Sequence, residues 1–169
     1  MARIEERLLQ WLRDAHAMEM QSEQMLSGLA GRIKSYPQLK QKIEHHERQT
    51  RDQALRIQGC IERLDGDTSL LKDAAAKFLA VGQGFSGLFV GNEVIKGSLA
   101  CYTFEHMEIA SYEILIAAAG EFGDAKTVKV CEEILAEEEE MAEWLLENIE
   151  PVTREYLNRE EKDLAEAKR

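Results

Sequence analysis

The chain has 169 residues, 44% of them hydrophobic, and a formal net charge of −11, which suits a single domain spanning residues 1–169 with a core of ordinary size. The acidic balance argues against nucleic acid as a partner, because phosphate recognition needs Lys and Arg gathered on one face. No apolar run approaches the roughly 18 residues of a membrane span, and the amphipathic start MARIEERLLQWLRD is too charged for a signal peptide. The expected location is the cytoplasm, and Cys60, Cys101 and Cys131, which form no CxxC pair, read as buried thiols of a reducing compartment.

Two Pro against an abundance of Ala, Leu, Glu, Lys, Arg and Gln predict an all-α protein. A first helix is expected over about 2–30, its stripe passing through Ile4, Leu8, Leu12, Ala15, Ser22, Leu26 and Leu29, with Glu19 on the same line. Tyr36-Pro37 breaks the chain, since Pro restricts the residue before it, and Pro37 then starts a second helix over about 37–64. Its stripe runs Leu39, Ile43, His46, Gln49/Thr50, Gln53, Ile57, Cys60 and Leu64, apolar at both ends and polar in the middle.

Residues 65–92 are glycine-rich and form the expected long crossover, with Phe85, Leu88 and Phe89 as apolar anchors. A third helix is predicted over 93–119, with the seam Ile95, Leu99, Tyr102, Glu105, Ile109, Tyr112, Ile116 and Ala119, stopped by Gly120 and Gly123. The fourth, over 124–149, carries Val128, Cys131, Leu135, Glu138, Met141/Ala142, Leu145 and Ile149, with Pro151 ending it. A tail over 150–169 is expected to hold a short C-terminal helix and then fray. The fold class is therefore a four-helix bundle with one long connection between helices two and three.

An internal repeat organises this bundle. MEMQSEQMLSGLAG (18–31) and MEIASYEILIAAAG (107–120) share six of fourteen positions, including Glu19 with Glu108, and thirty residues further on Gln49 pairs with Glu138 in the same register. Laid side by side, the helices bring Glu19, His46 with Gln49, Glu105 with Glu108, and Glu138 to one level. The three-residue spacings keep each pair on one helix face. Four carboxylates in an apolar core cannot all stay ionised uncompensated, each buried charge costing several kcal/mol. Two divalent cations would balance them. Carboxylate and imidazole donors without thiolates suit iron, with manganese as an alternative, rather than structural zinc.

Of the acid run Glu137 to Glu140, only Glu138 belongs to the seam. His16, His45 and His106 fall off it and are expected at the surface or behind the ligands. Tyr102 and Tyr112 flank the site by one turn, placed either to pack or to hydrogen-bond a ligand. Gln49 and Gln53 also read as ordinary polar residues at a loosely packed centre.

The segments WLRDAHAMEMQ, YPQLKQKIEHH, VIKGSLACYTFEHMEIASY and ILAEEEEMAEWLLENI closely resemble those of the ferritin-like family of the YciE/YciF stress-associated proteins, nearest its YciE members, across nearly the whole chain. The resemblance implies a ferritin-like bundle with a metal-binding centre, akin to rubrerythrins without the rubredoxin domain, and a dimer. The family pattern matches Glu at Glu19, His at His46, Glu-x-x-Glu at Glu105 and Glu108, and Glu at Glu138. It departs at Gln49, where the family usually has Glu. A carboxamide keeps one oxygen but loses the charge, so weaker loading, down to a single ion, is expected.

The reading that follows is a metal-binding, di-iron stress-response protein, with Fe(II) oxidation or peroxide reduction as its activity if it is catalytic and dioxygen or peroxide as the small oxidant. The alternative is a non-enzymatic bundle with a structural or weakened metal site that works through protein partners. A metal-free helical adaptor is a third reading; it predicts raised acid pKa values or exposed acids. Trp11, Phe85 and Phe89 are the candidate homodimer contacts.

Overall fold

The computed structural model describes residues 2–64 and 92–162. Within them lie four helices: α1 (Ala2–Arg32), α2 (Pro37–Arg63), α3 (Glu93–Phe122) and α4 (Ala125–Glu161). α1 packs most extensively on α2 and α3 on α4, giving two hairpins that meet chiefly along α1 and α3. The expected crossover, with Phe85, Leu88 and Phe89, lies outside the described residues apart from Asn92, as does the end of the tail.

The core is split in two. One apolar half gathers Leu8, Leu12, Met18, Ile57, Ile61, Tyr112, Leu115 and Ile134. The other gathers Leu26, Leu29, Ile33, Leu39, Ile43, Val94, Met141 and Leu145. Each fully buried Leu or Ile contributes about 1.5–3 kcal/mol. Between the halves lies a buried polar layer: Glu19, Ser22, His46, Thr50, Gln53, Glu105, Glu108 and Glu138. The polar fault that the four sequence stripes share is thus a single layer of the folded bundle.

Two boundaries and one face differ from the sequence reading. α1 ends at Arg32, close to its expected end, whereas Gly120 lies inside its helix and α3 stops only at Gly123, whose φ of 85° is the left-handed cap that glycine tolerates best. Pro151 does not end α4; the helix passes through it to Glu161, so the C-terminal helix is not a separate element. An interior Pro costs roughly 3 kcal/mol, and tertiary contacts beyond it offset that cost. Tyr156 is buried and donates to Asn92 Oδ1 at 2.9 Å, and Arg159 donates to the Ser35 carbonyl at 3.1 Å while lying over the Tyr36 ring. On α3, the predicted seam residue Leu99 is 62% exposed, and Val94, Cys101, Phe104 and Leu115 face the core instead. α3 is apolar on nearly all sides, so its periodicity does not single out the buried face.

The α3–α4 turn is held by polar contacts. Asp124 caps α4, accepting from Thr127 N at 3.3 Å and Thr127 Oγ1 at 2.6 Å, and Arg63 from α2 donates to its Oδ2 at 2.6 Å. Asp124→Ala is expected to cost about 2 kcal/mol, read as a lower urea midpoint.

Candidate metal centre

Every helix delivers at least one group to the polar layer: Glu19 from α1, His46 from α2, Glu105 and Glu108 from α3, and Glu138 from α4, all fully buried. His46, Glu105 and Glu138 converge most closely. Imidazole Nε2 stands 3.0 Å from Glu105 Oε2 and 3.2 Å from Glu138 Oε2, and one donor atom from each residue lies within 4.8 Å of the others. These are ion-pair approaches that fall outside strict hydrogen-bond geometry.

Glu19 is anchored from the opposite hairpin, its Oε1 accepting from the Tyr112 hydroxyl. This decides the role of Tyr112, which the sequence left open, while Tyr102 packs edge-on against His106, ring centroids 4.5 Å apart. Tyr112→Phe removes the donor and leaves a second Glu19 oxygen without a partner. The expected loss is about 1–2 kcal/mol, checked by thermal denaturation of the metal-free protein.

Gln49 does not join the cluster. It is only half-buried, and its Oε1 stands 3.2 Å from His46 Nδ1, the ring nitrogen that points away from the carboxylates. An amide oxygen there accepts from Nδ1–H and so leaves the Nε2 lone pair of the neutral ring free to bind a cation among the acids, the arrangement ligating histidines commonly show. The expected ligand position of Gln49 is therefore a supporting one in this structure. His16, expected at the surface or behind the ligands, is buried, and burial lowers its pKa, while His45 and His106 are exposed.

The electrostatics record the crowding. Burial, and then the charge of Glu138, hold Glu19 well above the usual carboxylate range. Burial, and then the charges of Glu138, Glu19 and Glu105, do the same to Glu108. Glu105 is pushed up to about 8, burial outweighing the nearby His46. Burial pushes Glu138 upward too, but the close approach of the His46 ring holds it below its ordinary value. His46 is raised because Glu105 and Glu138 together outweigh its own burial.

Oxygens are left over. Among the described residues, one from Glu19 and both from each of Glu105, Glu108 and Glu138 are buried without a hydrogen-bond partner, as are Ser22 Oγ and Gln53 Oε1. Buried polar atoms are ordinarily satisfied, and a set of orphaned oxygens around one imidazole is the donor set of a divalent cation. Cys101, one turn before Glu105, is kept protonated by burial and offers no thiolate. The residues present fit a carboxylate–imidazole metal centre.

Sequence reasoning undervalued two residues, Gln53 and Glu137. Gln53 is fully buried and donates through Nε2 to Glu137 Oε2 at 2.8 Å, and Glu137 also accepts from Arg56. The signal was present, since Gln53 is seven residues after His46 on one helix face. An acid run nevertheless reads as solvated until its neighbours are known.

Fold and site together define an all-helical bundle built around a buried acid–histidine cluster able to hold metal. The chain belongs to the family described as Domain of unknown function (DUF892), whose model matches residues 3–158. It is similar to a protein of Xanthomonas campestris pv. campestris at 39% identity, with a TM-score of 0.79 over 94% of this chain and 99% of the other. The Escherichia coli stress protein YciF is 24% identical, with a TM-score of 0.73 over 88% of this chain and 96% of its own. YcfI from Rhodopseudomonas palustris is 23% identical, with a TM-score of 0.66 over 84% and 92%. The last two likenesses concern the fold.

Proposed function

We propose that this chain is a ferritin-like metal protein that holds iron, with manganese as the second choice, at the centre of its bundle and acts in a stress response. The observation that supports it most is the set of orphaned carboxylate oxygens around His46. His46 and Glu105 would serve one ion and Glu19 and Glu108 a second, and Glu138, near His46 Nε2 and acting by charge on both Glu19 and Glu108, would serve both. When bound, iron supplies redox chemistry toward dioxygen or peroxide, so ferroxidase or peroxide-reducing activity is the proposed reaction class.

The residues' own work is to bind and to exclude water. The apolar halves above and below seal the layer, and Tyr112 fixes Glu19 while Gln49 fixes the His46 ring. The stress-response element leans on the name of YciF and on the likeness of fold. A cytoplasmic homodimer belongs to the same proposal. Among the described residues no helix is long and apolar enough to cross a membrane, and Trp11 is 38% exposed.

The test is the metal content of protein purified without chelator, beside a Glu19→Ala/Glu138→Ala double variant. Iron or manganese in the wild type and none in the variant is expected, followed by dioxygen or peroxide consumption on anaerobic Fe(II) loading. Bound metal without turnover moves the reading to a structural centre acting through partners, which the neutral Gln49 favours. No binding of anaerobic Fe(II) leaves a metal-free helical adaptor.

A further inference from the structure

With Gln49 turned onto His46 Nδ1, α2 offers the centre one nitrogen and no oxygen from the position where the repeat register predicts one. One turn further along the same face stands Gln53, with no exposed surface. Its amide orientation is chemically fixed. Nε2 lies 2.8 Å from Glu137 Oε2, and a carboxylate can only accept, so the nitrogen must face Glu137 and the oxygen must be the other atom. Glu137 is in turn held by Arg56, a strap from α2 to α4 at the edge of the polar layer. Oε1 is left buried in the polar layer, with no donor among the described residues. A buried amide oxygen without a partner costs about 1–3 kcal/mol. No group among the described residues offsets that cost, whereas a hard cation would.

We infer that Gln53 is an oxygen donor to the metal centre, set in place by the Glu137–Arg56 strap. The inference rests on the metal-binding reading above. It makes the α2 contribution His46 plus a neutral carboxamide, a donor set one negative charge lighter than a carboxylate would give. Such a set lowers affinity for divalent ions without closing the site.

The experiment measures Mn(II) binding to the full-length protein by calorimetry for wild type, Gln53→Leu, Gln53→Glu and Glu137→Gln, with the melting temperature of each metal-free form. Gln53→Leu should melt close to the wild-type temperature, because removing the unsatisfied oxygen offsets the lost bond from Nε2 to Glu137, which keeps Arg56, yet bind Mn(II) at least tenfold more weakly. Gln53→Glu should bind more tightly than wild type, and Glu137→Gln more weakly, with the ion count unchanged. Wild-type affinity in Gln53→Leu overturns the inference. So does a Gln53→Leu protein that melts early while Gln53→Glu binds no better than wild type, since that pattern is a packing role. If the wild type itself takes up neither Mn(II) nor anaerobic Fe(II), the metal-binding reading has failed first, and that outcome is distinct from the other two.

Discussion

Glu108→Leu should make the metal-free protein more stable and the metal-loaded protein hard to obtain. Glu108 is fully buried, its two oxygens have no partner, and three other acids raise its pKa further. Its one polar neighbour on α1 is Ser22. Leu is close in volume and suits the apolar halves of the core on either side. Replacing a poorly satisfied buried polar group with apolar volume is stabilising by about 1–4 kcal/mol in such settings, so a gain near 2 kcal/mol is expected. In a chain of this size that is a rise of roughly 4–8 °C. Removing a direct oxygen donor should weaken binding of at least one ion by ~100-fold. Calorimetric melting with and without Mn(II) reads both effects at once. A melting temperature that falls in the metal-free form would show that Glu108 supports the fold itself, and the metal-centre account would lose its main physical motive.

The metal-free protein should lose stability as pH rises from about 5 to about 8. Glu105 has an ordinary value of 4.5 when unfolded and about 8 when folded. The folded state therefore holds a proton through that interval that the unfolded state has released. Its stabilising contribution is complete below about pH 4.5 and is lost as pH passes through 8. Glu19 and Glu108, both raised, act in the same sense. So does His46, whose raised folded value gives a contribution present at low pH and lost at high pH. Glu138 opposes them, its lowered value giving stability above 4.5 that disappears in acid. Within pH 5 to 8 the opposing group is His16, lowered by burial, and the four raised groups outweigh it. The net decline should be on the order of 2 kcal/mol between pH 5 and 8, measured as the urea midpoint in the presence of chelator. With saturating Mn(II) the slope should reverse, because ligands must shed protons to bind and the ion competes with those protons. A metal-free stability that is flat or rising across this range would contradict the buried-acid account.

The sequence by itself determined the class of fold and the make-up of the buried polar layer. Stripes at helical spacing are a local property of the chain, and a Glu or His on such a stripe is buried wherever the stripe is buried. Hence Glu19, His46, Glu105, Glu108 and Glu138 could be read from spacing alone, and all five are in the buried layer. The internal repeat placed them at one height because two hairpins of equal length stack in register. Gln49 was legible as a departure but not as a supporting residue. A residue three positions from His46 shares its face only approximately, and whether its oxygen meets a metal or Nδ1 depends on side-chain rotation within the packed bundle.

Tertiary structure decided the rest. Which side of α3 faces inward could not be read from a helix that is apolar on nearly every side, and contact with α1 and α4 settled it in favour of Val94 and Cys101 over Leu99. Pro151 is a sound stop signal locally, yet the burial of Tyr156 and the reach of Arg159 to Ser35 hold the helix together past it. Glu137 reads as one more surface acid until Arg56 and Gln53, eighty-odd residues earlier in the chain, are brought against it. In each case the deciding energy came from groups distant in sequence, and local propensity carries no record of them.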